Sequence, residues 1–329
     1  MLCVSLPLLF VCVSIFTTTI LCAGYKGSSD LYIDSNIQLA LAAAKQLTTD
    51  TGKRFHILLP DEAEYKRAIS MYVLVYKQMN KCTNQTRSHH QQPHCLSTTS
   101  LQTIQHEHRF KSALDLVDGV TLGHLQEGKQ NIFSGLTSLF SSGGDQATTT
   151  DPAAAAASAD IFIVLNASTI ELLDLEAYTN EKIGNRPMIT WNMELDTLRA
   201  DLGLLGFPPK DLQYRFLSYF KPVFYIRQRD YSKTVAVSPF IINYSGALFR
   251  EYPGPWQVML RQDNGTYACV AEDTGRRYGL GEFKKELTQA MGLNTEAEGS
   301  AMAFLRSGYK TSTWWEDDED KEESKGWRS

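Results

Sequence analysis

The residues best placed to do chemistry in this 329-residue chain are carboxylates and amides that come directly after short apolar runs. Four of them follow runs that we interpret as β-strands: Asp61, Asn166, Asn192 and Glu194. In open α/β sheets, ligands bind beyond the carboxyl ends of the strands, so these side chains are candidates for one ligand pocket. The same positions also favour helix N-caps and turns, which would give Asp61, Asn166 and Asn192 structural roles.

The sequence contains none of the common nucleotide-binding, metalloprotease or hydrolase motifs. Five of the seven histidines crowd one polar stretch together with two cysteines: His89, His90, His94, His106, His108, Cys82 and Cys95. Their spacing matches no structural zinc pattern, and a solvated polar loop explains the composition. We therefore predict no catalytic residue, no metal site and no cofactor, and we favour a protein that is not an enzyme.

A short aromatic and proline-rich element offers a candidate interaction surface, made of Tyr252, Pro253, Gly254, Pro255 and Trp256. Aromatic residues are enriched at protein interfaces, which favours a docking role if they are exposed. The competing interpretation is a stiff turn that buries Trp256.

The order of apolar runs predicts the fold class. Continuous apolar runs such as Ile161–Leu165 are typical of parallel strands that are covered on both faces. Amphipathic segments alternate with these runs, and Asn264-Gly265 between two alternating segments indicates a β-hairpin. We predict a three-layer α/β fold, with a mostly parallel sheet, helices on both faces and an antiparallel hairpin extension near the C-terminus.

Finer features lead to local expectations. Ser35 with Gln38, and Ser168 with Glu171, resemble capping boxes that begin helices. His56 alternates with apolar neighbours in its run, so we interpret it as a core histidine.

Composition divides the chain into segments. We interpret residues 1–24 as a signal peptide and residues 25–292 as a single α/β domain with polar insertions near 80–110 and 141–158. The acidic tail, residues 293–329, is expected to be disordered. Residues 316–329 hold seven acidic and three basic residues, which leaves 30 acidic and 29 basic residues elsewhere. A nearly neutral body offers no obvious basic surface for phosphate backbones, so the sequence disfavours nucleic acid as the main partner.

The leader has no charged residue before Lys26, and Cys22-Ala23-Gly24 offers a small-residue exit for cleavage before Tyr25. An uncleaved membrane anchor is the alternative. Four N-glycosylation sequons occur, at Asn84, Asn166, Asn243 and Asn264, but three cysteines after the leader do not make a disulfide framework. Pairing of Cys82 with Cys95 stays open. The signal peptide thus indicates entry into the secretory pathway, whereas the small number of cysteines in the body is typical of a reducing compartment.

Several short segments resemble a single family: Tyr25–Asp30, Ile33–Ile37, Asn192–Leu195, Arg215–Ser218, Pro222–Tyr225 and Leu248–Trp256. It is the uncharacterised domain of plastids and cyanobacteria that occurs in low photosystem II accumulation proteins and is fused to a plastid adenylate kinase. The resemblance runs from about Tyr25 to Met291 and supplies no catalytic residue.

The resemblance implies a non-catalytic plastid protein that assists assembly of photosystem II or related photosynthetic membrane complexes. A signal peptide followed by Tyr25 resembles plastid entry in algae whose plastids lie inside the endomembrane system. Secretion into the endomembrane lumen is the alternative location. A small-molecule-binding protein or enzyme that uses the strand-end pocket is the alternative function.

Overall fold

The computed structural model describes residues 10–14, 28–70, 119–126, 152–235, 238–293 and 310–329. The chain forms two compact units, and the assignment of residues 25–292 to a single domain stays a prediction. The N-terminal unit comprises residues 29–166 and 177–186, and the C-terminal unit comprises residues 1–28, 167–176 and 187–329. Among the residues described, no helix has the length and apolar character needed to cross a membrane.

The N-terminal unit is built around three parallel strands in the order β3-β2-β4. Its elements are α1 (Ser28–Thr51), β2 (Phe55–Leu59), α2 (residues 62–70), β3 (Val120–His124), α3 (Pro152–Ser158) and β4 (Ile161–Leu165). Phe55 of β2 is in register with both Val120 and Ile161. Every residue of β2 is buried, which explains why its sequence is almost continuously apolar.

His56 is the polar exception in β2, and it is a core histidine, as predicted. It is fully buried, its Nδ1 lies 2.7 Å from Thr121 Oγ1, and its ring packs edge-on against Phe162. Burial, together with the nearby cations Lys182 and Arg186, lowers the pKa of His56 to about 4. His56 is therefore neutral at physiological pH.

Two local expectations in this unit were wrong. Helix α1 begins at Ser28, so the Ser35 and Gln38 pair lies inside the helix instead of capping it. Residues 152–158, which we assigned to a polar insertion, form helix α3. Five consecutive alanines explain that helix, because alanine has the highest intrinsic helix propensity. The histidine-rich stretch and Cys82 and Cys95 lie outside the described residues.

The C-terminal unit contains three parallel strands in the order β5-β1-β6, followed by antiparallel strands β6-β7-β8-β9. Its strands are β1 (Phe10–Ser14), β5 (Met188–Trp191), β6 (Lys221–Thr234), β7 (Ile241–Glu251), β8 (Trp256–Arg261) and β9 (Tyr267–Asp273). Its helices are α5 (Leu195–Asp201), α6 (Asp211–Arg215), α7 (Leu280–Ala290) and α8 (Trp314–Asp317), while α4 (Leu172–Tyr178) begins in this unit.

The predicted fold class is confirmed as mixed α/β, with parallel strands followed by antiparallel ones. The hairpin around Asn264-Gly265 is present as β8 and β9, and Gly265 has the positive φ of 81° that its turn requires. The antiparallel part is larger than one hairpin, because β6 and β7 pair over eleven residues. The Ser168 and Glu171 interaction is also present, with the Ser168 N–H donating to Glu171 Oε2 at 2.9 Å.

Strand β1 lies within the segment that we assigned to the signal peptide. Phe10 is in register with Met188 of β5, and Val11 with Lys221 of β6. A leader cleaved before Tyr25 would take this strand with it. Whether the mature protein contains β1 therefore depends on whether the leader is cleaved.

The last part of the tail differs from the disorder that we expected. Residues 310–329, which we name the tail segment, include helix α8 and a short 3-10 turn, Glu319–Lys321. Trp315 and Trp327 are buried, with Trp327 only 1% exposed. Composition suggested disorder because acidic residues dominate, but the tryptophans bury enough apolar surface to hold the segment in place.

Candidate functional site

The carboxyl ends of the strands in the N-terminal unit bring Asp61 and Asn166 to a common neighbour, Glu64. Asp61 Oδ1 accepts the Glu64 backbone N–H at 2.8 Å, which makes Asp61 the N-cap of α2. Asn166 Nδ2 lies 3.4 Å from Glu64 Oε2, and Asn166 Oδ1 accepts a 3.1 Å hydrogen bond from the buried amide of Asn36. Asp61 thus has the structural role that its position allowed, and Asn166 belongs to a polar cluster.

Charged and aromatic pairs lie in the same unit. Arg67 pairs with Asp34 at 2.6 Å, and the rings of Tyr65 and His124 lie 5.6 Å apart. No group of histidine, cysteine and carboxylate side chains able to hold a metal ion occurs within the described ranges.

Asn192 and Glu194 lie in the C-terminal unit, directly after β5. Both have left-handed backbones, with φ of 51° and 47°, and Asn192 is buried. Asparagine tolerates this conformation better than most residues, which gives Asn192 a clear structural role. Glu194 is the N-cap residue of α5 but makes no side-chain cap, and its Oε2 lies 3.4 Å from Thr197 Oγ1.

The two ends of the Tyr252–Trp256 element differ in exposure, and each end fits one of its two interpretations. Trp256 is 1% exposed, so this residue belongs to the core. Tyr252 is 43% exposed, and the Lys221 Nζ lies 4.3 Å from the centre of its ring. Only the tyrosine end of the element offers a surface to a partner.

The C-terminal unit contains a cavity lined by three arginines, which we name the arginine pocket. Its lining includes Arg227, Arg229, Arg277, Gly279, Leu280 and Glu316. Arg227 and Arg229 are two residues apart on β6, so their side chains share one face of the strand. Gly279 and Leu280, at the start of α7, lie in the same wall.

Arg277, which lines the pocket, forms a buried ion pair with Asp196. Arg277 Nη2 lies 2.7 Å from Asp196 Oδ2 and 2.7 Å from the Tyr225 hydroxyl, which itself donates to Asp196. Arg227 Nη1 adds a second cation at 3.6 Å from Asp196. A buried carboxylate is stable only with such compensation, which explains why a single aspartate gathers two arginines.

The ionisable groups of this network hold fixed charges. Burial alone would raise the pKa of Asp196, but Arg277 and Arg227 outweigh it and hold that pKa well below its usual range. Burial raises the pKa of Tyr225, and the ion pair with Asp196 holds the pKa of Arg277 above its ordinary value despite burial. None of the three changes charge near neutral pH, so the arrangement suits binding and structure better than proton transfer.

Tryptophans from two parts of the chain surround the same arginine. The Arg277 guanidinium lies 4.7 Å from the centre of the Trp327 ring and 5.3 Å from that of Trp256. The Arg199 guanidinium lies 3.5 Å from the centre of the same Trp327 ring. The cation–π contacts of Trp327 hold the tail segment against the unit, together with the hydrogen bond from the Trp327 backbone N–H to the Ser218 carbonyl at 3.0 Å.

A second surface feature of this unit is an apolar turn between α5 and α6, residues 203–208, which we name the leucine turn. Leu205 is fully exposed and Leu204 is 54% exposed. The Gly203 N–H donates to the Pro208 carbonyl at 2.7 Å, and Gly203 and Gly206 have φ of 79° and 87°. The turn is therefore closed by its own hydrogen bonds while its leucines face solvent.

Sequence reasoning missed both features, although signals for them exist. Tyr225, Arg227, Arg229 and Tyr231 recur at a spacing of two, which places them on one face if the segment is a strand. The leucine turn is an apolar run between a glycine and two prolines, where turns are usually polar. Arg277 gives no local signal, because its partners are distant in sequence.

The family model for a domain of unknown function (DUF1995) matches residues 7–285, and the chain belongs to this family. The match covers both units but stops before the tail segment. No curated protein and no solved structure matches the chain.

Proposed function

We propose that this protein is a non-catalytic interaction factor of the plastid that assists the assembly of photosynthetic membrane complexes, among them photosystem II. The resemblance found in the sequence supports the plastid and the class of client. The protein would reach the plastid through its N-terminal signal peptide.

The leucine turn is the observation that carries the interaction role. Isolated exposed leucines are ordinary on protein surfaces, but here two leucines and the partly exposed Phe207 are neighbours on one turn. Internal hydrogen bonds already fix the turn, so little conformational entropy is lost when a partner covers it. An apolar, preformed projection of this kind suits docking onto a protein surface.

Association with isolated photosystem II assembly complexes tests the proposal. The wild-type protein should migrate with these complexes in native gels, and the double variant Leu204→Ser/Leu205→Ser should lose most of the association. Leu173→Ser is the control, because Leu173 is another exposed leucine, at 42%, and lies on α4 outside the leucine turn. Equal association of the double variant and the control would contradict the docking role, and no association of the wild type would contradict the choice of client.

The polar cluster of Asn36, Glu64 and Asn166 favours a second candidate function, the binding of a small polar molecule at the strand ends. A thermal-shift screen of plastid metabolites and nucleotides tests it. A ligand at a hundred times its dissociation constant stabilises the folded state by about 2.7 kcal/mol. A shift that disappears in Asn166→Ala would support this function, and no shift with any compound would reject it.

A further inference from the structure

The arginine pocket has more positive than negative charge. Its lining includes three guanidinium groups, Arg227, Arg229 and Arg277, and one carboxylate, Glu316. Asp196 neutralises one further charge through its pair with Arg277. A pocket with a remaining positive charge attracts an anion.

Arg277 has a donor that none of the described residues satisfies. Its side chain is 7% exposed, and Nη2 is used by Asp196 and Tyr225, but Nη1 is buried without a hydrogen-bond partner among the residues described. A buried charged donor without an acceptor is costly, and guanidinium groups bind carboxylates with paired donors. Arg277 therefore indicates that an acceptor oxygen belongs in the pocket.

Glu316 shows which chemical group the pocket wall accepts. Its Oε1 accepts the Leu280 N–H at 3.1 Å, and its Oε2 accepts the Thr313 N–H at 3.1 Å. Leu280 is the first residue of α7, an eleven-residue helix whose positive dipole end favours a carboxylate. The carboxylate in this position comes from the tail segment, which lies outside the part of the chain matched by the family model.

We propose that the arginine pocket is a binding site for the carboxylates of an acidic protein segment, and that Glu316 occupies this site as an internal ligand. The partner would present an acidic side chain beside an aromatic residue, as the tail segment does with Trp315 and Glu316. Binding of the partner displaces Glu316 and gives Arg229 and the free Arg277 donor a carboxylate. This proposal deepens the interaction role and rests on it, but it concerns a different surface.

A labelled peptide that copies residues 310–329 is the probe, and the full-length protein is the receptor. Fluorescence anisotropy compares the wild type with Glu316→Gln and with Asp317→Asn. Asp317 is the matched control, because it is the next residue of α8, is exposed and gives the same change in charge. We expect Glu316→Gln to bind the peptide at least about tenfold more tightly than the wild type and Asp317→Asn, since a charge-assisted hydrogen bond no longer holds the internal ligand.

Two further variants separate recognition of the carboxylate from general loosening of the fold. A peptide that carries glutamine at the position of Glu316 should bind the Glu316→Gln protein about tenfold more weakly than the natural peptide does. The natural peptide should also lose about tenfold in affinity when Arg229→Gln is added to the Glu316→Gln protein. Equal affinity for the two peptides, or equal binding by Glu316→Gln and Asp317→Asn, would overturn the proposal. If peptide binding fails while the leucine-turn variants still lose complex association, the interaction role stands and only the arginine pocket is rejected.

Discussion

At the scale of single residues, the stability of the C-terminal unit depends on the buried ion pair of Asp196 and Arg277. Its charges are separated from water and depend on each other and on the Tyr225 hydroxyl. Pairs of this kind contribute little net stability compared with apolar residues, but removal of one partner leaves the other charge uncompensated.

Asp196→Asn should therefore destabilise the protein by about 3–5 kcal/mol, because Arg277 would remain buried without its counter-charge. Tyr225→Phe removes the two hydrogen bonds of the Tyr225 hydroxyl but no charge, and it should cost about 1–3 kcal/mol. Urea unfolding of both variants and the wild type at pH 7 measures the two losses. A cost below about 1 kcal/mol for Asp196→Asn would show that water reaches Arg277.

His56 should make stability depend on pH in the acidic range. Its pKa is about 4 in the folded state and near the ordinary 6.5 in the unfolded state. The unfolded state takes up the proton first, so stability is fully present above pH 6.5 and decreases as the pH falls towards 4, by up to ~3 kcal/mol.

His56→Asn is the matched variant for this test, since an asparagine amide can keep the hydrogen bond to Thr121 but does not titrate. The free energy of unfolding, measured at intervals from pH 7 to pH 4, should fall more steeply for the wild type than for the variant. Parallel curves would mean that the pKa of His56 is the same in the folded and unfolded states.

At the scale of elements, the tail segment is a separate piece that the rest of the C-terminal unit holds by a few specific contacts. Trp327 packs against Arg199 and Arg277, and the backbone joins at two further points: Glu323 N–H to the Tyr214 carbonyl, and Arg277 N–H to the Arg328 carbonyl, both 2.9 Å. An element attached in this way can open locally while the sheet stays folded.

Trp327→Ala should release the tail segment, because replacing a buried tryptophan by alanine costs about 3–5 kcal/mol. Hydrogen exchange of the Glu323 and Arg277 amides should become at least about a hundredfold faster, while amides of β2 keep their protection. Trp314→Ala is the control, since Trp314 is only partly buried and packs on Tyr214. Equal acceleration in β2 would show that the tail segment and the sheets unfold together.

At the scale of the whole molecule, the N-terminal segment matters both for the fold and for the cellular location of the protein. Strand β1 and the family match from residue 7 both include part of the predicted leader. Asn166 is also one of the four sequons, yet its amide is bonded to Asn36 and lies near Glu64, so a glycan there would break the polar cluster.

The intact mass of the protein purified from its native cell tests the proposed route. We expect a chain that begins at Tyr25 and carries no mass sensitive to glycosidase, because the plastid interior does not add N-glycans. A chain that retains Phe10–Ser14 would overturn the signal-peptide prediction and assign β1 to the mature fold. A glycan on Asn243 or Asn264, both exposed, would instead indicate secretion.

The sequence by itself determined the features that depend on local pattern. The apolar run Ile161–Leu165 predicted a buried parallel strand, Asn264-Gly265 predicted a hairpin, and the setting of His56 predicted a core histidine, and all three are present. Each depends on side-chain period, turn geometry or burial within a few residues, and such preferences act before distant parts of the chain meet.

Only the tertiary structure decided where the charged and aromatic residues meet. Arg277 finds Asp196 and Tyr225 across 81 and 52 positions of the chain, and Trp327 inserts between arginines from two other segments. No local pattern encodes these pairings, because their free energy comes from desolvation and charge compensation that exist only after the units have folded. For the same reason an acidic tail that composition marks as disordered is ordered by two buried tryptophans, and its glutamate lies in the arginine pocket.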